Sequence, residues 1–584
     1  RVWEQEMTST LSRAGIKYTL VDDSHFKNAG LLGDKLLGYY LTEDQGALTS
    51  VFGTNERLRY IIPFREPEEI RQYLWEISET RPGSLLVYGD DGEKFGGWPG
   101  THEWVYEKGW LDRFFRMLQE NRDWIELITP GEALNRFTPS GKIYIPDSSY
   151  REMMEWALPL ESGKKYEYIE SVLKVQPIWN EASAYIRGGF WRNFIYKYPE
   201  INHMYSRMLE VSGKIASLKG KAPKKARTLL HKAQCNCPYW HGVFGGIYLN
   251  HLRFETYRNL IRADALLNKK ITQGEDFIEV EESDFDLDNR PETALHNRWH
   301  RLYVQPHHGG RIYEWDYYPA RTNLLDTLSR REETYHKTIR EAADMQSQEN
   351  TQSIHDTWKL HDPSIKDHLI YDPYERKSFI DHIMTGEISP RALKRNECRE
   401  HGRLAQKEYN CTSTVFDDEV MLQMTYDGGV EIDGTAHHLT IEKSVILKKS
   451  DPAVSCSYTV TNKGEQALDC RFGTEWNFAL LAGQAEDRYY FYEDGSKAGV
   501  LAAELQKDGI MRFGVADEWQ GLKIGFEFSE PVSLYTFPIE TVSQSESAYE
   551  KVYQSSVLLP VVHLELGPGD FRTFSFQIIP EHTG

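Results

Sequence analysis

The hydrophobic period of this chain changes along its length, and this change constrains the fold more than any other feature. In the first third, apolar residues recur every three or four positions, as from Ile70 to Ile77. In the last half, apolar and polar residues alternate, as from Leu522 to Phe528. A period of 3.6 indicates helices and a period of 2 indicates half-buried strands. The sequence therefore predicts a multidomain protein, with an α/β part followed by an all-β part.

The α/β part is predicted to contain a parallel sheet. Helical spacing at residues 70–77 and 111–118 separates three apolar runs that are typical of buried strands, at residues 18–23, 84–91 and 124–130. Strands that alternate with helices form parallel sheets, and here they favour a barrel.

The middle of the chain is predicted to be mostly helical, from residue 148 to residue 232. The apolar stripe between Met204 and Leu218 indicates one packed helix face. An acidic segment at 274–292 precedes the alternating pattern, which predicts a large β-sandwich. A Gln- and Ser-rich run at 343–353 is predicted to be a surface loop. We therefore predict three domains, at residues 1–147, 148–272 and 273–584.

The composition argues against several classes of partner. A net charge of −20 is unsuited to phosphate backbones, which need a basic surface. The sequence shows neither an apolar run of membrane-spanning length nor a signal peptide, so we expect no nucleic-acid or membrane partner, while a homo-oligomer stays open. Six scattered cysteines favour reduced thiols in a cytoplasm. The 13% aromatic content suits sugar rings, whose apolar faces lie on flat side chains.

The segment from Tyr88 to Trp110 carries the strongest candidate chemistry. Asp91 and Glu93 follow the predicted strand at its carboxyl end, where barrel enzymes place catalytic groups. Trp98 adds a stacking surface beside these acids, and glycoside cleavage needs both a carboxylic acid and such a surface. By chemistry alone, an acidic, glycine-rich surface turn is an equally good interpretation.

Two other clusters combine polar and aromatic groups. Asp23 and His25 follow the first predicted strand, where they could bind a divalent ion, orient sugar hydroxyls or cap the next helix. Trp240 and His241 lie in a short polar and aromatic stretch, which is more typical of a site than of a core helix. The preceding C-x-C pair lacks the two-residue spacing and the second pair of a zinc site.

An acidic triplet, Asp284, Asp286 and Asp288, resembles the start of an EF-hand calcium loop. The glycine of such a loop is absent, and its twelfth position is Leu295. We therefore reject an EF-hand and predict no metal site and no cofactor.

Long motifs identify a resemblance to glycoside hydrolase family 57, especially to its 4-α-glucanotransferase and α-amylase members. They are RVWE, VDDSHF, LRYIIPFR, DDGEKFGGWPGTHEWVYEKGW, YIRGGFWRNFIYKYPE and AQCNCPYWHGVFGGIYL. The resemblance implies an incomplete (β/α)7 barrel, a helical region and a large antiparallel β-sandwich. It also implies an α-1,4-glucan substrate and double displacement with retention, between carboxyl groups about 5 Å apart.

The resemblance assigns roles to single residues. Asp91 matches the acid/base, and the residues that match the substrate cleft are Glu93, Trp98, Trp240 and His241. We add Asp23 and His25 to the substrate-binding set from their position at a strand end. Cys237 occupies a place where the glucanotransferases carry Asp, which puts substrate preference in question.

The resemblance places the nucleophile in the glutamate directly before Arg-Val-Trp. This chain begins at Arg1 with a helix whose feeding strand is missing, so we expect an N-terminal truncation and no activity from the chain as printed. Glu4 is a weaker alternative nucleophile. The resemblance favours a 4-α-glucanotransferase, with an α-amylase or a non-catalytic glucan-binding protein as alternatives.

Overall fold

The computed structural model describes residues 2–344, 363–545 and 548–583. The chain divides into two compact units, Arg1–Lys197 and Tyr198–Gly584. Except for its first two positions, the loop predicted at 343–353 lies outside the described residues. The predicted domain boundaries near 147 and 272 stay predictions. Within the described ranges, no helix is both long enough and apolar enough to cross a bilayer.

The first unit contains short strands among helices. In chain order these are β1 (Val2–Trp3), α1 (Met7–Arg13), β2 (Tyr18–Asp22), α2 (Asp23–Asn28), β3 (Tyr39–Asp44), β4 (Ala47–Thr54), α3 (Glu56–Ile61), α4 (Pro67–Thr80), α5 (Trp110–Glu120), α6 (Pro130–Arg136), β5 (Ser148–Ser149), α7 (Met153–Ala157), α8 (Leu160–Lys174), α9 (Trp179–Ser183) and α10 (Arg192–Lys197). The helices predicted at 70–77 and 111–118 are confirmed as α4 and α5.

The parallel sheet of the first unit is smaller than predicted. Strand β4 pairs in parallel with β2 and antiparallel with β3. The strands predicted at 84–91 and 124–130 are wrong, because neither segment forms a ladder. The first is extended but is joined to its neighbours by isolated bonds, from Gly38 N–H to Leu85 O and from Asn55 N–H to Val87 O. In the second segment, Leu127 is 70% exposed, so this apolar residue is not buried as the predicted strand required.

The second unit begins with helices and continues as β structure. Its elements are α11 (Pro199–Ser217), α12 (Lys224–Ala233), α13 (Asn250–Ile271), β6 (Ile278–Ser283), β7 (Glu292–Asn297), β8 (His300–Gln305), β9 (Arg311–Tyr317), β10 (Thr322–Asn323), α14 (His336–Asp344), β11 (Ile380–Thr385), α15 (Pro390–Lys394), β12 (Arg399–His401), β13 (Asn410–Val415), β14 (Glu419–Ile432), β15 (Thr435–Lys448), β16 (Val454–Asn462), β17 (Leu468–Phe478), β18 (Arg488–Tyr492), β19 (Lys497–Val500), β20 (Leu505–Asp517), β21 (Leu522–Gln544), β22 (Tyr549–Leu566) and β23 (Phe571–His582).

Two antiparallel sheets share one apolar core in this unit. Strands β6 to β10 form a five-stranded sheet, and the later strands form a larger one in the path β12-β11-β17-β22-β21-β23-β16-β15-β14-β13. Trp315 of the smaller sheet and Trp476 of the larger one meet with ring centroids 6.2 Å apart. The predicted class, an α/β region, a helical region and a large antiparallel β-sandwich, is confirmed.

Candidate functional site

Polar side chains gather where β2 and β4 end. Because these strands are parallel, their carboxyl ends lie at the same edge, which places Asp22 beside Thr54. The extended segment 84–91 reaches this edge too, since Gly89 packs against both strands. A Cβ atom at Gly89 would lie 2.9 Å from Thr54 Cγ2 and 3.3 Å from Leu20 Cδ2. Because of this close approach, Asp90 and Asp91, which follow Gly89, lie at the ends of β2 and β4.

A buried ion network fixes this edge. Arg59 pairs with Asp22 and lies 3.8 Å from Asp90 Oδ1 through its Nε. Lys94 Nζ lies 2.5 Å from Asp90 Oδ2 and donates a hydrogen bond to Arg59 O at 2.7 Å. Burial opposes the charge on Asp22, but Arg59 and the hydrogen bonds from Ser24 outweigh it and lower the pKa of Asp22. The network thus links the end of β2 to the end of the segment 84–91 through paired charges.

Asp90 and Asp91 occupy different environments although they are consecutive. The Asp90 side chain is 2% exposed and is held by the ion network, so a substrate cannot reach it. Asp91 is only partly buried, and its backbone N–H donates to Asp90 Oδ1 at 2.9 Å. Glu93 is exposed in the single helical turn that follows. Of the three acids that directly follow Gly89, Asp91 and Glu93 are therefore the two that reach the surface.

Trp98 forms an aromatic platform beside these acids. Its backbone N–H donates to Glu93 O at 3.0 Å, which folds the segment back on itself. The Trp98 ring stacks on Phe64 at 5.9 Å and 23°. Lys94 Nζ lies 5.5 Å from both ring centroids, so the lysine that holds Asp90 also supports the platform. The segment thus joins a flat apolar surface to carboxylates, as a sugar site requires.

Asp23 and His25 are buried beneath the strand edge. Asp22, rather than Asp23, caps α2 by accepting a hydrogen bond from Ser24 N–H, so the cluster does provide the helix cap that the sequence left open. Burial raises the pKa of Asp23 to about 6, against the pull of Lys27. Burial also lowers the pKa of His25 to about 4, and its Nδ1 lies 3.2 Å from Asp22 O. A substrate-binding role for Asp23 and His25 stays a prediction.

The raised pKa of Asp23 predicts a pH-dependent effect of Asp23→Asn. A carboxyl whose pKa is higher in the folded protein stabilises the fold when protonated, and this contribution is lost as pH rises from about 4 to about 6. Asparagine carries no charge, so the variant should gain up to about 3 kcal/mol relative to the parent between pH 4 and pH 7. Urea unfolding at several pH values measures this difference. The exposed Asp123→Asn is the control, and a pH-independent difference for Asp23→Asn would contradict the assignment.

In the second unit, Trp240 and His241 are adjacent but differ in exposure. His241 is fully buried, with Nδ1 2.9 Å from Gly245 O and Nε2 3.1 Å from Tyr335 Oη. These contacts close the turn between Trp240 and Gly245. Trp240 is partly exposed and lies over Gly242, where a Cβ atom would be 2.3 Å from the indole. The Trp240 Nε1–H is buried and has no hydrogen-bond partner, so the accessible part of this residue is its ring.

The sequence did not reveal the residues that support these side chains. Arg59 and Phe64 lie in the motif LRYIIPFR, which carried the resemblance but had no role assigned. Around His241, Glu333 Oε1 accepts hydrogen bonds from Tyr198 at 2.7 Å and from Tyr248 at 2.8 Å. Because Glu333 is far from His241 in sequence, no local pattern could have found it.

The structure also shows the contacts of Glu4, the alternative nucleophile, and of Cys237, at the position where the glucanotransferases carry Asp. The Glu4 carboxylate lies 3.2 Å from Arg192 Nε, so this alternative nucleophile is held in an ion pair. Cys237 is exposed, and its thiol lies 3.6 Å from Asn236 Oδ1. Neither contact decides a catalytic role.

Comparisons with known proteins match almost the whole chain. The profile of Glycosyl hydrolase family 57 matches residues 1–146. Profiles of the Alpha-amylase/4-alpha-glucanotransferase middle domain and C-terminal region match residues 189–267 and 284–572.

Individual proteins extend the similarity. Alpha-amylase 1 of Dictyoglomus thermophilum is 35% identical over 97% of this chain and 80% of its own length. The 4-alpha-glucanotransferase of Thermococcus kodakarensis is 36% identical over 96% of this chain and 79% of its own. The crystal structure of 4-alpha-glucanotransferase from Thermococcus litoralis matches with a TM-score of 0.82 and 34% identity, covering 99% of this chain and 80% of that one.

Proposed function

This chain belongs to glycosyl hydrolase family 57, and we propose that it is an α-1,4-glucan-processing enzyme that acts as a 4-α-glucanotransferase. The observation that carries the proposal is the arrangement around Asp91. A partly exposed carboxylate follows a buried, ion-paired one and lies in the same short segment as a stacked aromatic platform. The relatives named 4-alpha-glucanotransferase and alpha-amylase support an α-glucan as the substrate.

We assign the acid/base role to Asp91. In the first step it donates a proton to the glycosidic oxygen as the bond to the anomeric carbon breaks and a carboxylate nucleophile bonds to that carbon. In the second step Asp91 takes a proton from the acceptor hydroxyl, which attacks the same carbon and releases the nucleophile. In the family pattern the nucleophile is the glutamate directly before the motif Arg-Val-Trp, which in this numbering is Arg1–Trp3.

The remaining predicted residues hold the glucan. Trp98 and Phe64 offer stacked rings on which an apolar sugar face can lie. Glu93 is exposed near them and can accept hydrogen bonds from sugar hydroxyls. In the second unit, the partly exposed ring of Trp240 offers a separate apolar surface for a sugar, and buried His241 fixes the turn that carries the tryptophan.

A transferase and a hydrolase share this mechanism up to the covalent intermediate. The outcome depends on whether a sugar hydroxyl or water attacks that intermediate. Because relatives of both names match this chain over similar lengths, an α-amylase is the second candidate.

The first test is incubation with maltotriose, followed by separation of the products by chain length. The protein should release glucose and form oligosaccharides longer than maltotriose, because an acceptor sugar competes with water for the intermediate. Glucose and maltose without longer products would identify an α-amylase. Binding of maltotriose without any turnover would contradict both enzymes and favour a glucan-binding protein.

We also propose a cytoplasmic location. All six cysteines are free thiols, as expected in a reducing compartment. Cell fractionation, followed by detection of the protein in each fraction with an antibody, would test this location. Recovery of the protein outside the cytoplasm would contradict it.

A further inference from the structure

The hairpin between β6 and β7 brings together three carboxylates that the proposed function does not use. Ser283 and Glu292 pair across the base of the hairpin, and residues 284–291 form its loop. When one carboxylate oxygen is taken from each of Asp284, Asp286 and Glu292, these three oxygen atoms lie within 4.8 Å of one another. The three residues range from exposed to buried, so the cluster extends inward from the surface.

The loop is anchored by one aromatic contact and by hydrogen bonds to its acids. Phe285 packs against Tyr303 with ring centroids 4.7 Å apart. The Asp284 carboxylate accepts hydrogen bonds from the backbone N–H groups of Asp288 and Asn289 at 2.9 and 3.1 Å. Asn202 of α11 donates to Asp286 O at 2.7 Å, which fixes the loop against the helix. The positions of the two aspartates are therefore set by packing.

A second, independent observation concerns the two oxygens of the Asp286 side chain. Its side chain is only 10% exposed, and its Oδ2 accepts a hydrogen bond from Gln305 Nε2 at 2.9 Å. Its Oδ1 is buried and has no hydrogen-bond partner. A buried carboxylate oxygen without a partner is costly, since it has lost water and gained nothing in exchange. A bound cation would satisfy it.

The charges around the cluster leave room for a cation. Across the residues that the structure describes, His203 is the one basic side chain within ion-pair distance of the three acids, 3.5 Å from Asp286 Oδ2. Glu292 is 3% exposed and accepts a hydrogen bond from Phe285 N–H at 2.8 Å. Carboxylates this close repel one another, and the repulsion is relieved when one of them takes up a proton or when a cation lies between them.

We propose that Asp284, Asp286 and Glu292 bind one calcium ion. The potential ligands are hard carboxylate oxygens, and the loop can add backbone carbonyls and water to reach the six to eight oxygens that calcium takes. Magnesium demands a small, near-ideal octahedron, which an irregular loop supplies poorly. The bound ion would brace the hairpin against α11. The inference concerns stability and is independent of glucan turnover.

The test is titration of the whole protein after treatment with EGTA and desalting. Isothermal titration with calcium chloride should show one site per chain, and calcium should raise the melting temperature. Asp286→Asn and Glu292→Gln should each weaken binding at least tenfold. Glu279→Gln removes the same charge from an exposed position of β6 and should leave the affinity unchanged.

The outcomes separate a built site from general attraction to an acidic protein. If Glu292→Gln does not fold, the exposed Asp284→Asn takes its place and should still weaken binding several-fold. The proposal is overturned if folded protein binds no calcium at millimolar concentration, or if Asp286→Asn and Asp284→Asn bind as tightly as the parent. Binding of magnesium as tightly as calcium would overturn the choice of ion.

Discussion

Asp91→Asn should lower the turnover of maltotriose by a factor of about 10²–10⁴, which is the usual contribution of a general acid/base. Asparagine keeps the size of the side chain but cannot donate an acidic proton to the glycosidic oxygen. The ion pairs of the neighbouring network run through Asp90, Lys94 and Arg59, and asparagine is nearly isosteric with aspartate, so the fold should survive. The measurement is the initial rate of glucose release from maltotriose by the parent protein and by the variant.

A second substrate separates acid/base catalysis from a structural effect. A maltosyl fluoride has a leaving group that needs little protonation, so Asp91→Asn should retain most of the first step with it. Azide needs no general base, so added azide should restore the second step and yield a glycosyl azide. Asp112→Asn, at an exposed site paired with Arg116, should match the parent in every assay. If the variant loses both substrates equally and azide has no effect, Asp91 is not the acid/base.

Lys443→Met should destabilise the β-sandwich by about 3–5 kcal/mol, the range found when one partner of a buried ion pair is removed. Lys443 and Asp381 have fully buried side chains, with Nζ 2.9 Å from Asp381 Oδ2. Lys443 Nζ also donates to Gly309 O at 2.7 Å and to Phe379 O at 2.8 Å. Methionine fills similar volume but leaves the Asp381 charge and both carbonyls without their partner.

Urea unfolding of the second unit measures this loss, and a double variant tests its cause. Lys443→Met combined with Asp381→Asn removes both charges and should recover part of the stability, because no lone buried charge remains. Tyr409 and Tyr458 donate to Asp381 Oδ2 and Oδ1 at 2.7 Å each. Asparagine keeps one acceptor oxygen for one of these hydroxyls, and the other hydroxyl can rotate to accept from the amide N–H. Lys448→Met, at the exposed end of the same strand, should change stability little. An equal loss in the single and double variants would contradict a charge-based cause.

Local periodicity predicted the secondary structure wherever burial followed the pattern. The alternating strands β16, β21 and β23 bury the side that their sequences mark as apolar. Helices α4 and α5 do so in part, since Ile70 is buried and Leu111 is half-buried, whereas Phe115 is exposed. The same rule failed at 84–91 and 124–130. An apolar run does not form a strand by itself, because a strand also needs a partner strand at hydrogen-bonding distance. That partner comes from elsewhere in the chain.

The sequence alone determined the family, the order of α/β and β regions, and the segment that carries Asp91, Glu93 and Trp98, because each is written in contiguous residues. Only the tertiary structure decided which acids are accessible. It buried Asp90 against Arg59 and Lys94 and enclosed His241. It also placed Glu292 beside Asp284 and Asp286. From the sequence, the mismatch with an EF-hand loop had led us to predict no metal site there. The physical reason is that exposure and ligand geometry depend on strand pairing and on contacts between distant residues, and no local period encodes these.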